Sequence, residues 1–355
     1  MTEQPLIVGG GPVGLHLARE MKRGILIDRG REIGGDVRCA GLLTDKIKRY
    51  LNAKDIQDIL VNKPTKTVVQ GPRERFELEQ KHNYVIDNKA FEKRLAEKAM
   101  AKGIEIRNRT EYISSAGEKH TLKDLESKKR YTVQSSQLYG ADGPHSRVNT
   151  MHELRKPDTM MGWQAHVKVK NPGDTITFYP HIGRYAWSIP ENTGVIRVGV
   201  AGGSNREFER FLKRFQGQTI KTQHGPIPLH KPFSRTALKR DGVSVRLFGD
   251  AAGHIKNTTG GGILPGMEAA SRFAAGKSAY GLKSELYTHF IVHNFLQRFS
   301  NDEWDAFIKA SKRHAEVLSK KTREELTGIM PRLMGNSEYW KLSLKHFLKG
   351  EVTLL

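Results

Sequence analysis

The chain has 355 residues, 37% hydrophobic and 27% charged, so it can bury a sizeable core and is not a disordered chain. Its formal net charge is +21 with a pI near 9.9; the basic residues are spread and no nucleic-acid motif is present, which excludes nucleic acid and leaves an anionic membrane surface, or a merely solvated lysine-rich exterior. A single cysteine, Cys39, excludes an internal disulfide framework and a cysteine-built metal site, and no metal is expected.

In chain order, residues 5–8 (PLIV) form a short apolar strand, followed by GGGPVG and the helical pattern LHLAREMKR. A second apolar strand, ILI, ends at Asp28 and closes a β-α-β unit. The strand begins almost at the first residue, which leaves no room for a signal peptide and points to a cytoplasmic protein. Residues 45–60 read as helix, with Ile47, Leu51 and Ile56 on one face, and 64–86 alternate as strands. A helix is expected over 88–102, ended by Gly103, and short strands over 117–138. From 160 to 202 the pattern is β-rich, and 205–216 is helical. VSVRLFGDAAG returns to a buried strand; helix is expected over 268–282 and nearly throughout 284–349. No stretch approaches about 18 apolar residues, so no spanning helix is expected.

The fold class expected is α/β: a Rossmann-like domain from 1–63, 84–150 and 240–282, a β-rich domain from 64–83 and 151–239, and a helical region over 283–355.

Gly9, Gly11 and Gly14 form G-x-G-x-x-G between a strand and a helix. Gly9 permits the tight turn, Gly11 lets the backbone approach a pyrophosphate, and Gly14 allows close helix packing. Asp28 follows Gly9 by 19 residues, the spacing of a ribose-binding carboxylate. The loop alone reads an ADP moiety and leaves NAD and FAD open. Two further turns decide between them: GADGPHSR at 140–147, with Asp142, and LFGDAAG at 247–253, with Gly249 and Asp250. A lone Asp-Gly pair is usually only a turn. Three such motifs in this order, on strand ends, form the pattern of FAD enzymes whose flavin arm crosses the domain.

That order resembles the para-hydroxybenzoate-hydroxylase-like flavoproteins. Within them, RCAGLLT (38–44), YAWSIP (185–190), HGPIPLHKP (224–232) and TTGGGI (258–263) are similar to the geranylgeranyl reductases of the archaeal type. The resemblance spans about residues 5–275. It implies that Gly14 and Asp28 hold the ADP half of FAD. Arg38, Cys39, Ala40 and Gly41 would lie along the flavin, with Asp142, Gly249, Asp250, Gly261, Gly262 and Ile263 around the ribityl chain and ring. The chain departs from the family at Asn88 (usually arginine), Ile189 (usually phenylalanine) and Asn257 (commonly proline).

The implied reaction saturates C=C bonds of an isoprenoid lipid, with peripheral contact at the membrane inner face. It needs two electrons and two protons. Cys39 is the candidate proton donor, against a plain reading as a small buried side chain. Tyr185, Trp187 and Pro190 would wall the apolar pocket, or simply fill the sheet core. His254 and Lys256 read as surface or pyrophosphate-side contacts, His145 and Arg147 as local anchors. With one G-x-G-x-x-G present, electrons must come from NADPH, ferredoxin or another carrier. A flavin monooxygenase is the runner-up, disfavoured by Gly253 where such enzymes carry histidine. A non-catalytic FAD-binding protein at a membrane surface is the third reading.

Overall fold

The computed structural model describes residues 4–35, 37–277, 283–322 and 327; the last part of the expected helical region lies outside them. Its first layer is a six-stranded sheet. The spatial order is Ala237–Arg240, Val243–Leu247, Gln137–Gly140, Leu6–Val8, Gly24–Ile27 and Ile104–Arg107. Five strands run parallel, and Ala237–Arg240 is antiparallel at one edge. Leu6, Ile7 and Val8 are all buried, as a central parallel strand covered on both faces requires.

Helices Pro12–Met21, Asn88–Met100 and Ile263–Ala274 cover one face, joining Leu15, Leu17, Phe91, Leu95 and Met267 to Ile7 and Leu26. A three-stranded meander, Thr110–Ala116, Lys119–Asp124 and Arg130–Gln134, covers the other, setting Tyr112 and Leu122 against Val8, Leu138 and Val245. The first helix docks on the last through His16, whose ring nitrogen lies 2.7 Å from Ser271 Oγ. Burial, and then Arg19, holds that imidazole neutral, with a pKa lowered to about 3.

The second layer is a seven-stranded sheet in the order Gln218–Pro228, Thr159–Lys168, Val195–Ala201, Tyr185–Asn192, Thr175–Tyr179, Lys66–Gln70 and Arg75–Glu79. Its pairs are antiparallel except Thr175–Tyr179 with Lys66–Gln70. A three-stranded sheet of Leu42–Thr44, Asn83–Ile86 and Leu60–Asn62 stands between the two layers. Buried Arg197 ties it to the large sheet, donating to Ala40 O (2.7 Å) and Ile86 O (3.2 Å) and pairing with Glu191 (3.1 Å). Helices Lys283–Leu296, Asn301–Lys312 and Ala315–Ser319 complete the described chain. Asp305 fixes them to the outer hairpin by accepting from the backbone N–H groups of Arg73 and Glu74, both at 2.9 Å.

Several boundaries differ from the sequence reading. The helix expected over 45–60 is a 3-10 turn, Asp45–Arg49, followed by Ala53–Ile59, whose start Asn52 fixes with a reciprocal capping box. The helix expected over 205–216 ends at Leu212. The one expected over 268–282 starts earlier, at Ile263, because Gly262 supplies its N-terminus, and ends at Ala274. Strand Ala237–Arg240 pairs with Val243–Leu247, so the parallel sheet gains an edge before residue 240. Among the described residues no helix is long and apolar enough to cross a membrane.

Candidate functional site

A cavity of about 1690 Å³ lies between the two layers. Its floor is the loop after the first strand. Gly9 has φ +110°, and a Cβ there would sit 2.3 Å from Ala141 O. A Cβ on Gly14 would sit 2.0 Å from Gly9 O. These two glycines are demanded by packing within the protein. Gly11 differs: a Cβ there meets no protein atom within 4 Å, so its backbone is open on the cavity side. Asp28 holds the loop, accepting from Gly10 N (2.7 Å) and Gly30 N (2.6 Å).

Two helices begin at this cavity without a side-chain cap, one after Gly11 and one after Gly262. Elsewhere Asn52, Asp87, Ser204 and Ser300 cap their helices. The two bare ends therefore present unsatisfied N–H groups and the positive end of each dipole to one space. That is a site for a negatively charged group.

Acidic side chains stand around the same space. Asp142 accepts from the N–H groups of Arg147 (2.7 Å) and Val148 (3.2 Å), while its Oδ1 is buried with no protein partner. Burial raises its carboxyl and pushes Asp250 up to about 6. Glu92 is pushed up to about 8 by burial and then by the Asp28 charge.

The opposite wall is the large sheet. Alternation puts Tyr185, Trp187 and Ile189 on the cavity face. Gly199, opposite Trp187, makes room: a Cβ there would lie 2.2 Å from the indole. Trp187 thus lies flat across the neighbouring strand, and its Nε1 reaches Gln164 Oε1 at 3.1 Å. Tyr185 OH, Gln164 Nε2 and Thr259 Oγ1 are buried with no protein partner. Burial alone pushes the Tyr185 phenol up.

The residues singled out from the sequence converge. Gly9, Gly11, Asp28, Arg38, Cys39 and Ala40 line the cavity from the loop side. Asp142, Gly249, Asp250 and Gly261–Ile263 line it from the turns, and Tyr185 and Trp187 from the sheet. Three do not line it. Gly14 packs under the loop. Gly41, at φ +65°, backs onto Arg197 Nη1 and Ile86 O. Pro190 falls on the other face by strand alternation, its carbonyl accepting from Asn62 Nδ2 (3.0 Å), and Ile189 takes its place.

The FAD binding domain family model matches residues 3–212. The chain belongs to this FAD-binding family. It is 27% identical over 380 residues to digeranylgeranylglycerophospholipid reductase 3 of Methanosphaera stadtmanae, covering 97% of this chain and 94% of that one. It is 26% identical over 310 residues to digeranylgeranylglycerophospholipid reductase of Methanosarcina mazei, covering 78% and 74%. The fold matches a geranylgeranyl bacteriochlorophyll reductase-like protein of Thermoplasma acidophilum, with TM-score 0.77, 21% identity and coverage of 93% and 99%. It also matches p-nitrophenol 4-monooxygenase of Pseudomonas putida, with TM-score 0.63, 15% identity and coverage of 95% and 98%. The fold alone therefore spans reductases and monooxygenases.

FAD suits the site of this family member on three counts. The two bare helix ends match an anionic pyrophosphate, the open face of Gly11 admits it, and Asp142 Oδ1 offers an unused acceptor to a hydroxyl. The cavity also exceeds the roughly 300–1,000 Å³ common for one small ligand, so a second molecule fits.

Three residues in or beside the cavity wall, Glu92, Gln164 and Arg197, are not among those the sequence singles out, and Asn88 is there only as a departure from the family. Asn88, where the family usually has arginine, donates from Nδ2 to Cys39 O at 3.0 Å. Arg197 holds the adjoining Ala40 carbonyl from the other side. Glu92 lies one helical turn beyond Asn88, a spacing that was visible in the sequence. Gln164 is one of many strand polar residues, and nothing local marked it. Lys256, read as a surface or pyrophosphate-side contact, is buried and lines the cavity beside Gly261, which leaves the second of those readings. His254 is buried too; burial, then His230 and Arg246, lower its pKa to about 4 and keep it neutral.

Proposed function

We propose that this FAD-dependent oxidoreductase saturates C=C bonds of geranylgeranyl chains carried on a lipid. The observation that carries the reading is the two-sided cavity: charge-binding backbone on one wall, Trp187, Phe178 and Ile189 on the other, with room between for an extended apolar chain. The names of the aligned relatives support the same substrate class.

In this reading the segments around Gly9–Gly14, Asp28, Asp142 and Asp250 form the FAD-binding domain, and the large sheet with Tyr185 and Trp187 forms the substrate domain. Bound and reduced, FAD supplies the two electrons. The protein orients the alkene, excludes water and supplies a proton. Burial raises the Cys39 thiol, so it stays a neutral S–H at neutral pH. Transfer of that proton would leave a thiolate, which the Gly41 N–H at 3.3 Å and the nearby Arg197 guanidinium would stabilise. Asn88 and Arg197 clamp the carbonyls of Cys39 and Ala40, so the thiol is held from both sides. Electrons arrive from an external carrier, NADPH or ferredoxin, and the positive charge favours encounter with an anionic membrane.

The test is anaerobic reduction of the protein followed by incubation with a geranylgeranyl lipid and mass spectrometry. Mass gain in steps of two hydrogens is expected. Oxygen-dependent gain of one oxygen atom would instead establish the monooxygenase, and bound FAD with no turnover the non-catalytic alternative.

A further inference from the structure

Phe233 is 85% exposed, the most exposed large apolar side chain among the described residues. It also has φ +61°, a left-handed backbone that bulky residues rarely adopt. The sequence Lys231-Pro232-Phe233-Ser234 explains the shape: proline leads a turn, and the next position is one that glycine ordinarily fills. An aromatic there is disfavoured twice, by backbone and by solvation. The strained backbone and the exposure together point to work for the ring outside the fold.

The turn is firmly based. His230 N donates to Asn257 Oδ1 at 2.7 Å, and Asn257 Nδ2 donates back to His230 O at 3.1 Å. This gives a role to Asn257, one of the positions where the chain departs from its family. Leu229 N donates to Asp158 O at 2.7 Å, and Lys231 pairs with the Asp158 carboxylate at 2.5 Å. Ser234 Oγ closes the turn on Lys231 O at 3.0 Å. Exposure of Phe233 is therefore built in rather than left over. Around it, segments 154–158 and 229–235 carry Arg155, Lys156, Lys231 and Arg235 against the single acid Asp158. Just upstream, Pro226, Ile227 and Pro228 of the same chain segment line the cavity.

We propose that this turn is the membrane-docking element, with Phe233 inserted at the lipid interface and the surrounding basic side chains on anionic headgroups. The partner's chemistry follows from the patch. A protein interface needs about 800 Å² per side with an apolar centre. One aromatic ring among cations instead suits a lipid interface, where rings sit at headgroup depth and basic residues add attraction. The proposal rests on the reading that the substrate is a lipid: docking here would bring the bilayer to the end of the strand that walls the cavity.

Phe233→Gly separates the roles. Glycine tolerates positive φ, so the variant should melt no lower than the parent, and higher if anything. Its partition onto vesicles of phosphatidylcholine with phosphatidylglycerol should fall about tenfold, the scale of losing one interfacial aromatic. Phe233→Cys, made in a Cys39→Ser background so that only the new thiol is labelled, should shift an environment-sensitive fluorophore to the blue on those vesicles. Unchanged partition of Phe233→Gly, a fluorophore that stays in water on bound protein, or a drop in melting temperature would each overturn the proposal. Turnover is measured on detergent-dispersed and vesicle-embedded geranylgeranyl lipid. Loss confined to the vesicle substrate supports docking. If neither form of substrate is reduced even by the parent, the reductase reading fails, while vesicle partition still decides the docking element.

Discussion

The two walls of the cavity are made in different ways. The parallel-sheet wall works through backbone: glycines at fixed offsets, bare helix ends and strand-end carboxylates. The large-sheet wall works through side chains that alternation delivers to one face. Backbone sites are intolerant, because a Cβ has nowhere to go. Side-chain sites tolerate exchange, because the ladder beneath them does not depend on which residue projects. In the proposed reading, the first wall holds FAD and the second sets what FAD meets.

The largest expected effect tests whether the glycines of the first wall share one role. Gly14→Ala puts a Cβ 2.0 Å from Gly9 O, a backbone atom that cannot yield. The first helix must move, and we expect several kcal/mol of destabilisation or no folded protein. Gly11→Val places its side chain in open cavity, at an extended backbone of φ −76° that valine accepts. It should fold with the parent's melting temperature and fail to take up FAD. Circular dichroism melts beside FAD titration separate the two. A Gly11→Val protein that binds FAD normally would remove the pyrophosphate from this loop.

This contrast also explains what could be read in the sequence. Gly9, Gly14 and Asp28 are legible because Gly14 packs on Gly9 and Asp28 holds Gly10 and Gly30 within one short unit, although Gly9 itself is pressed by the distant Ala141. So is the strand–turn around Asp250, though its partner loop is more than two hundred residues away. Gln164 and Arg197 are different. Their roles arise from register across strands: Gln164, Gly199 and Trp187 stand in line on three strands. No local pattern encodes that line. Pro190 lies off the cavity because a motif names consecutive residues whereas a strand shows alternate ones to one face. The capping-box pair Asn52 and Asp55 is present in the letters and divides the helix expected over 45–60.

On the second wall, Trp187→Ala should cost about 3–5 kcal/mol, through the void over Gly199 and the loss of the Gln164 hydrogen bond. Unlike Gly14→Ala, it should leave a folded protein that still binds FAD, because its contacts lie within the large sheet. A chemical melt with FAD titration checks this. Loss of FAD affinity equal to that of Gly11→Val would show that the two walls are not separable.

The parallel-sheet wall also carries the pH dependence. Glu92 has a folded pKa of about 8 against the ordinary carboxyl value of 4.5, so the folded state holds a proton that the unfolded state has released in that window. Its contribution to stability is full below pH 4.5 and is lost as pH rises to about 8. Glu92→Gln keeps the shape without the titration. It should stabilise the protein at pH 8, by on the order of a few kcal/mol, and have little effect near pH 4.5. Melting temperatures across that range test the sign: a variant less stable than the parent at the alkaline end would mean that the carboxylate is paired.

The smallest expected effect on stability is the most informative about chemistry. Tyr185 OH is buried and makes no hydrogen bond within the protein. Removing a hydroxyl with no partner does not break a bond, so Tyr185→Phe should match or exceed the parent's stability, by up to about 1 kcal/mol. Gln164→Leu is its counterpart: it leaves the Trp187 N–H unpaired and should cost about 1–3 kcal/mol. If the Tyr185 hydroxyl serves a ligand, Tyr185→Phe should reduce turnover or shift the bound flavin's absorption while the fold is unharmed. A protein that is more stable and fully active would make Tyr185 a core residue. A buried orphan hydroxyl beside Gly260, in company with the equally unpartnered Gln164 Nε2 and Thr259 Oγ1, argues that the missing partner is a bound molecule.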